Sequence, residues 1–332
     1  MMISQSHLEY SLLAGEVLRG KLISKEEALL LLNTPDDELL ELLAGAYRIR
    51  KSYFGNKVKL NMIINAKSGL CPEDCGYCSQ SIVSEAPVEK YALLDRDQLI
   101  DGAKEALQRK AGTYCIVMSG RKPSKREVAD VASAVRTIRE TTSLKICACL
   151  GLISQEDAHE LAEAGVQRFN HNLNTSEHRY EEICHTHSYQ DRVNTVTYAK
   201  QAGMSPCSGV IIGMGEAHED VVDVAFALRE MDVDSIPVNF LNSIDGTPLA
   251  GLKELDPRYC LKALALFRYV NPTKEIRVSG GREVNLRSLQ PLSLYAANSI
   301  FVGDYLTTQG QEPTSDWKMI EDLGFEIEEY AQ

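Results

Sequence analysis

Three cysteines stand close together in the stretch Gly69-Leu70-Cys71-Pro72-Glu73-Asp74-Cys75-Gly76-Tyr77-Cys78-Ser79-Gln80. Their C-x3-C-x2-C spacing lets three thiolates converge on one metal centre from a single loop. Cysteine thiolates are the usual holders of iron–sulfur clusters, and a [4Fe–4S] cluster takes four of them. Three protein ligands leave one iron with an open position, where a cofactor or substrate can bind. Tyr77, just before the last cysteine, would sit beside that iron. A structural zinc site is the competing reading, but zinc favours four ligands, commonly in paired C-x2-C modules. No second C-x2-C pair is present. Pro72, Glu73, Asp74 and Gly76 mark a polar, turn-rich loop, which argues against three unrelated core cysteines. The spacing therefore favours a cluster.

A loop of this kind needs a scaffold, and the rest of the chain reads as one. Residues 1–55 read as helical, with Leu8, Leu12, Leu13 and Leu18 at roughly helical spacing. Ser24 to Glu27 forms a capping box, and Thr34-Pro35 starts another helix. We expect a helical layer that closes one end of a barrel. From Val58 the rhythm becomes strand then helix, repeated. The strands run over 58–65, 113–118, 144–150, 168–173, 206–212, 235–241, 275–279 and 299–302. Helices lie between them, one opened by the capping box Ser124 to Glu127. Alternating elements predict a parallel sheet, and eight units allow closure into a (β/α)8 TIM-type barrel. The expected organisation is a helical segment over 1–55, the barrel over 56–303 and a C-terminal extension over 304–332. That extension holds one helix near 314–323 and carries no readable function. In such barrels chemistry sits at the C-terminal ends of the strands, and the cysteine loop follows the first strand.

Four more cysteines fall on expected strands: Cys115, Cys147, Cys149 and Cys207. Side chains alternate along a strand, so Cys147 and Cys149 share a face. Any one of them alone reads as a small core hydrophobe. Together, three strands can point thiols into one barrel interior, where a second cluster would fit.

The bulk numbers agree with a folded enzyme and exclude some classes. The chain has 332 residues, 44% hydrophobic and 25% charged, with a net charge of −12. No basic stripe is present, so nucleic-acid binding has no electrostatic footprint. No apolar run approaches the ~18–20 residues of a membrane span, and Met1 to Tyr10 lacks the pattern of a secretory signal. Nine cysteines in that context imply a reducing, cytoplasmic setting, where thiols bind metals or stay free.

The C-x3-C-x2-C spacing resembles that of the radical S-adenosylmethionine (SAM) enzymes, in which the open iron binds the amino and carboxylate groups of SAM, and several motifs together resemble the biotin synthase family. They are Cys71-x3-Cys75-x2-Cys78 with Ser79-Gln80, Phe169-Asn170-His171-Asn172-Leu173, Cys207-Ser208-Gly209 continuing to Gly213-Met214-Gly215-Glu216, and Pro237-Val238-Asn239. Val278-Ser279-Gly280-Gly281-Arg282-Glu283, Ala297 to Phe301 and Leu306-Thr307-Thr308 continue the match, which spans about Val58 to Thr308. The resemblance implies a [4Fe–4S] cluster on Cys71, Cys75 and Cys78 with SAM on the open iron. It implies a [2Fe–2S] cluster on Cys115, Cys147, Cys207 and Arg282. Arg282 enters through the resemblance only, since a guanidinium has no free lone pair at ordinary pH. The implied reaction is sulfur insertion into dethiobiotin to give biotin, with the sulfur taken from the [2Fe–2S] cluster. Unactivated C–H bonds have no acidic proton, so cofactors carry the hard step and no residue acts as a catalytic acid or base. Two such bonds are broken, hence two SAM molecules per biotin.

The resemblance further implies SAM contacts from Tyr77, Arg192, Gly213, Gly215 and Glu216, and substrate contacts from Asn172 and Asn239. An amide offers both donors and an acceptor, which suits a neutral ureido ring. The plain alternative for either asparagine is a hydrogen bond to strand-end backbone, and for Arg192 a solvated helix position. Asn174 stands where many relatives have Asp, and Cys149 where relatives can have another residue. A flavodoxin-type electron donor and a homodimer are also implied. Cys184, His185 and His187 read as a chance grouping without a fourth partner, Cys260 as core packing and His171 as a structural neighbour. Competing functions are another radical SAM enzyme such as a hydrogenase maturase, or an iron–sulfur carrier with no SAM site. Lipoyl synthase is disfavoured because its further clustered cysteine motif is missing here.

Overall fold

The computed structural model describes residues 9–253 and 255–329. Leu8, counted in the first helical pattern, lies outside the described residues. Three helices come first: α1 (Tyr10–Leu18), α2 (Lys25–Leu32) and α3 (Leu39–Phe54). Ser24 accepts from the Glu27 amide while the Glu27 carboxylate takes the Ser24 amide, so the expected capping box forms. Proline at residue 35 opens a short 3-10 turn, Asp36–Glu38, before α3 rather than α3 itself.

Strands and helices then alternate. They are β1 (Lys57–Lys67), α4 (Arg96–Gln108), β2 (Thr113–Met118), α5 (Lys125–Thr141), β3 (Lys145–Cys149), α6 (Gln155–Glu163) and β4 (Arg168–Asn170). Next come α7 (Tyr180–Ile183), α8 (Tyr189–Gln201), β5 (Ser205–Cys207), β6 (Val210–Ile212), α9 (His218–Glu230), β7 (Ser235–Phe240) and α10 (Pro257–Val270). β8 (Glu275–Val278), α11 (Arg282–Leu286), α12 (Gln290–Ser293), β9 (Ser299–Phe301), α13 (Pro313–Asp322) and β10 (Glu326–Ile327) complete the chain. Every pairing among these strands is parallel, and β9 returns to β1, so the sheet closes. Eight strand positions make the barrel, and the fold is the TIM-type (β/α)8 class that the alternation predicts.

Two expected elements are broken. The fifth strand divides at Ser208-Gly209 into β5 and β6. A Cβ on Gly209 would lie 1.9 Å from the Pro237 carbonyl oxygen, so two backbones meet where only glycine fits. The helix expected between the strands at 275–279 and 299–302 is instead α11, a 3-10 turn and α12. Its interruption is at Arg287, whose φ of +50° no helix tolerates.

Capping boxes at Asp95, Ser124, Ser154 and Ser188 start α4, α5, α6 and α8. Each satisfies amides that a helix start leaves without partners. The helices bury apolar stripes against the outer face of the sheet: Val128, Val131, Val135 and Ile138 on α5, and Leu261, Leu264 and Phe267 on α10, are all fully buried. Cys260 lies in this core, as its helix face predicts.

The helical layer α1–α3 packs on the outside of α9 and α10. It reaches the floor of the barrel through Arg50, which is fully buried. Arg50 donates to the carbonyls of Ala297 and Lys57 at 3.0 Å each, and to that of Gly55. Three carbonyls at the start of β1 and before β9 are thus satisfied by one side chain.

A candidate two-cluster site inside the barrel

Alternation along each strand decides which residues enter the barrel. On β8, Ile276 and Val278 join the outer apolar core, so Glu275 and Arg277 point inward. The same rule puts Cys115 inside from β2 and Cys147 and Cys149 inside from β3. Register sets Cys115 directly beside Cys147, and Asn170 beside Cys207. The interior opens as a cavity of about 320 Å³. Cys71, Cys78 and Tyr77 line its mouth, and Cys115, Cys147, Cys149 and Arg277 line its depth.

The cysteine loop is held by its own backbone and by the segment after α7. The Gln80 side chain accepts from the Gly69 amide at 2.9 Å and ties the loop ends together. Gly76 donates to the Ile183 carbonyl at 2.9 Å. Asp74 accepts from the backbone amides of His185 and Thr186 at 3.0 and 3.2 Å. Burial alone would raise the Asp74 carboxyl, but these amides and the Cys184 and Thr186 side chains hold it well below the usual range. Burial pushes the Cys78 thiol up to about 11 and also raises Cys71. Without metal these thiols keep their protons, so an ion that binds here releases them.

Arg192 is buried rather than solvated. Its guanidinium donates to the Asn172 carbonyl at 2.7 Å, reaches the Tyr77 hydroxyl at 3.4 Å and lies 3.9 Å from the Cys75 sulfur. Tyr180 accepts from its Nε. The cation therefore sits against the loop from α8, where it would favour a negative charge. Asn174, at φ +70°, donates from its amide to the Tyr77 hydroxyl. Among the described residues its own Oδ1 is buried without a hydrogen-bond partner, as is Nε2 of His171. Both residues line the cavity, so the wall presents one acceptor and one ring nitrogen with unmet hydrogen bonds. Burial, and then the charge on Arg192, hold His171 well below the usual histidine range, so its ring is neutral.

Three of the deep thiols are also held in the protonated form. The Cys147 thiol is raised by its hydrogen bond with Cys115 and by burial, Cys149 is pushed up to about 12 by burial, and burial raises Cys207. Asn170 donates from Nδ2 to the Cys207 sulfur at 3.2 Å and to Asn172 Oδ1 at 3.0 Å. Below them lies a buried ion network. Glu275 accepts from Arg277 at 2.6 Å and from Arg168 at 3.1 and 3.2 Å, with Lys59 at 3.4 Å. Burial opposes the charge on Glu275, but the three cations hold its carboxyl well below the usual range. Arg277 also donates to Ser235 and Ser299 at 3.0 and 3.3 Å. Among the described residues its Nη1 has no hydrogen-bond partner, and the side chain lines the cavity.

Arg282 is the expectation that the structure corrects. It follows Gly281, which adopts φ +74° after β8 ends, and opens α11. Its guanidinium points away from the cavity and binds both oxygens of Asp316 on α13, at 2.8 and 2.9 Å, and Gln290 at 2.8 Å. Arg282 clamps the C-terminal helix to the barrel. The arginine that faces the deep cysteines is Arg277, one residue before the Val278 that begins the matched motif. Alternation in Glu275-Ile276-Arg277-Val278 carried the signal for it.

Glu216 turns back on its own loop. Its two carboxylate oxygens accept from the amides of Gly213 and Met214 at 2.6 and 2.7 Å. It braces its own turn, with Arg179 at 3.9 Å, and none of Gly213, Gly215 and Glu216 lines the cavity. Asn172 and Asn239 do line it. Asn239 spends one donor on the Val210 carbonyl and one acceptor position on the Gly280 amide, each at 3.0 Å. The backbone latch is thus real for Asn239, with one donor and one lone pair remaining. Asn170, Leu306 and the pair Cys184 and His187 were not singled out as site residues. Leu306 lines the cavity from the C-terminal extension, while its neighbour Thr307 shares a hydrogen bond with Ser79 at 2.8 Å.

A closed parallel barrel, a three-cysteine loop after its first strand and polar walls with unmet hydrogen bonds above it define the radical SAM class of enzyme. Residues 67–228 match the family described as the Radical SAM superfamily, and residues 237–326 match the Biotin and Thiamin Synthesis associated domain. The chain is 64% identical over 327 residues to proteins named biotin synthase from Bacillus thuringiensis (strain Al Hakam) and Bacillus anthracis, covering 98% of each chain. It belongs to the biotin synthase family. Among solved structures, methylornithine synthase superposes with a TM-score of 0.82 at 21% identity, covering 96% of this chain and 98% of that one. The FeFe-hydrogenase maturase HydG from Carboxydothermus hydrogenoformans gives 0.81 at 16% identity, covering 98% of this chain and 80% of that one. These two likenesses speak for the fold alone. No helix among the described residues is long and apolar enough to cross a membrane.

Proposed function

We propose that this chain inserts sulfur into dethiobiotin to form biotin, with SAM as co-substrate. Cys71, Cys75 and Cys78 would hold a [4Fe–4S] cluster at the cavity mouth. Cys115, Cys147, Cys207 and Arg277 would hold a [2Fe–2S] cluster in its depth. The observation that carries the reading is one cavity of about 320 Å³ lined by Cys71 and Cys78 at its mouth and by Cys115 and Cys147 in its depth. A small substrate between them would face a radical source above and a sulfur source below. When bound, the two clusters supply one-electron cleavage of SAM and the sulfur atom.

The chain's own residues do the rest. Ile63, Val117, Ile211 and Phe301 line the cavity and exclude water from reactive species. Asn172 and Asn239 offer amide groups to a ureido ring. Tyr77, Arg192 and the unmet acceptor of Asn174 gather at the mouth, where SAM would lie. Asn170 donates to the Cys207 sulfur and favours its thiolate. Glu275 fixes Arg277 from below, where the side chain lines the cavity. A guanidinium would have to give up a proton to ligate iron, so assembly of the second cluster would be favoured as pH rises. His171 is neutral and needs no role as a base. The reading includes a cytoplasmic homodimer and a flavodoxin-type electron donor, both carried over from the family.

The test uses anaerobically reconstituted protein with SAM, a reductant and dethiobiotin, beside a Cys207→Ala variant. Biotin and 5′-deoxyadenosine are measured together. The reading expects both products from the parent and no biotin from the variant. Deoxyadenosine without biotin, with the second cluster fully loaded, would refute sulfur insertion and leave a different radical SAM reaction.

A further inference from the structure

Cys184 and His187 have no part in the function above, yet they adjoin it. The Cys184 sulfur lies 3.6 Å from the Cys75 sulfur, 3.3 Å from His187 Nδ1 and 4.0 Å from His187 Nε2. All three residues are buried. Among the described residues they are the one group of three or more His, Cys, Asp or Glu side chains whose ligand atoms all lie within 4.8 Å of one another. The cysteines of the loop do not form such a group, as expected for a cluster, whose thiolates stand further apart than the ligands of one ion.

The spacing suits a single tetrahedral ion. With Zn–S near 2.3 Å and Zn–N near 2.0 Å, ligand atoms lie ~3.5–3.8 Å apart across the tetrahedron. The backbone fixes the pair, because Gly76 donates to Ile183 at 2.9 Å immediately beside Cys75 and Cys184. The buried Glu73 carboxylate takes the Nδ1 side of His187. A carboxylate on one ring nitrogen, leaving the other free to ligate, is the usual support of a metal-binding histidine.

We propose that, in the chain without its iron–sulfur clusters, Cys75, Cys184 and His187 form a mononuclear zinc site. Both sulfurs bind as thiolates, so any proton still held on them passes to solvent; binding involves no change of oxidation state and leaves the fourth position to water. Because Cys75 is shared, zinc and the [4Fe–4S] cluster exclude one another. That last consequence rests on the cluster assignment above, whereas the zinc site does not.

The experiment uses the full-length chain, stripped of iron anaerobically. It is titrated with Co²⁺ as a spectroscopic probe and with Zn²⁺ against a chromophoric chelator. The parent should bind one ion per chain with the visible spectrum of tetrahedral cobalt–thiolate. Cys184→Ser and His187→Gln should each weaken zinc by ~100-fold or more, since even outer supports of a metal site are worth 10–100-fold. A Cys71→Ala, Cys78→Ala double variant should bind as the parent does. Thermal melts of each variant establish that it is folded. Loss of zinc in the double variant with retention in Cys184→Ser would overturn the proposal, as would the lack of a stoichiometric ion in the folded parent. Zinc-loaded parent should also assemble the [4Fe–4S] cluster more slowly than zinc-treated Cys184→Ser. Equal rates, with the zinc site itself established, would overturn the exclusion and remove Cys75 from the cluster set.

Discussion

Arg277 and Arg282 lie five residues apart and should behave oppositely on substitution by methionine. Arg277→Met removes one of three cations from Glu275, but Arg168 keeps its two contacts at 3.1 and 3.2 Å and Lys59 remains at 3.4 Å. The acid stays paired, and the cost is that of a few buried hydrogen bonds, ~1–3 kcal/mol. Arg282→Met removes the partner of Asp316, which is fully buried and, among the described residues, keeps the Gln311 side chain. Leaving a buried charge without its counter-ion costs ~3–5 kcal/mol. Urea denaturation should therefore rank Arg282→Met as the less stable protein. Iron and sulfide content, visible absorption and electron paramagnetic resonance of reconstituted protein should rank them the other way. Arg277→Met should change the spectrum of the second cluster while three thiolates still hold it. Arg282→Met, measured well below its melting temperature, should leave both cluster spectra unchanged. An unaltered spectrum in Arg277→Met together with an altered one in Arg282→Met would refute the assignment.

Three further outcomes follow from the same geometry. Glu275 has a folded-state pKa well below its ordinary value of 4.5, so its contribution to stability is present above about 4.5 and is lost as pH falls through the depressed value. Glu275→Gln should flatten the acid limb of stability against pH, measured by urea midpoints; parallel limbs in parent and variant would contradict the ion network. Gly209→Ala would place a Cβ 1.9 Å from the Pro237 carbonyl oxygen, forcing a backbone shift that costs ~1–3 kcal/mol or more. Cys207 is two residues away, so loading of the second cluster should fall, and full loading by iron analysis would show that the shift is absorbed elsewhere. Asn170→Ala removes the donor 3.2 Å from the Cys207 sulfur. The stability cost should be ~0.5–1.5 kcal/mol, and the second cluster should become harder to reduce, because hydrogen bonds to cluster sulfurs help set the potential. A redox titration that gives the parent value would show that this contact does not survive in the loaded protein.

Local chemistry was legible without coordinates. The spacing of Cys71, Cys75 and Cys78 defines a three-thiolate loop however the chain folds, because the ligands sit within eight residues. The capping boxes at Ser24 and Ser124 and the alternation of strand and helix are equally local, and they led to the barrel. The fall of Cys115, Cys147 and Cys207 on three expected strands also suggested that thiols could meet inside the barrel. Three-dimensional closure decided the rest. Which arginine meets the deep thiols depends on where β8 ends, and Gly281 turns the chain outward just before Arg282. Whether Glu216 reaches a ligand or its own turn depends on how the segment from Gly213 folds back on it. The approach of Cys184 to Cys75 joins residues more than a hundred positions apart through a backbone bond from Gly76 to Ile183. No spacing rule predicts such a contact, since it is formed only when the loops after β1 and β4 meet over the barrel mouth.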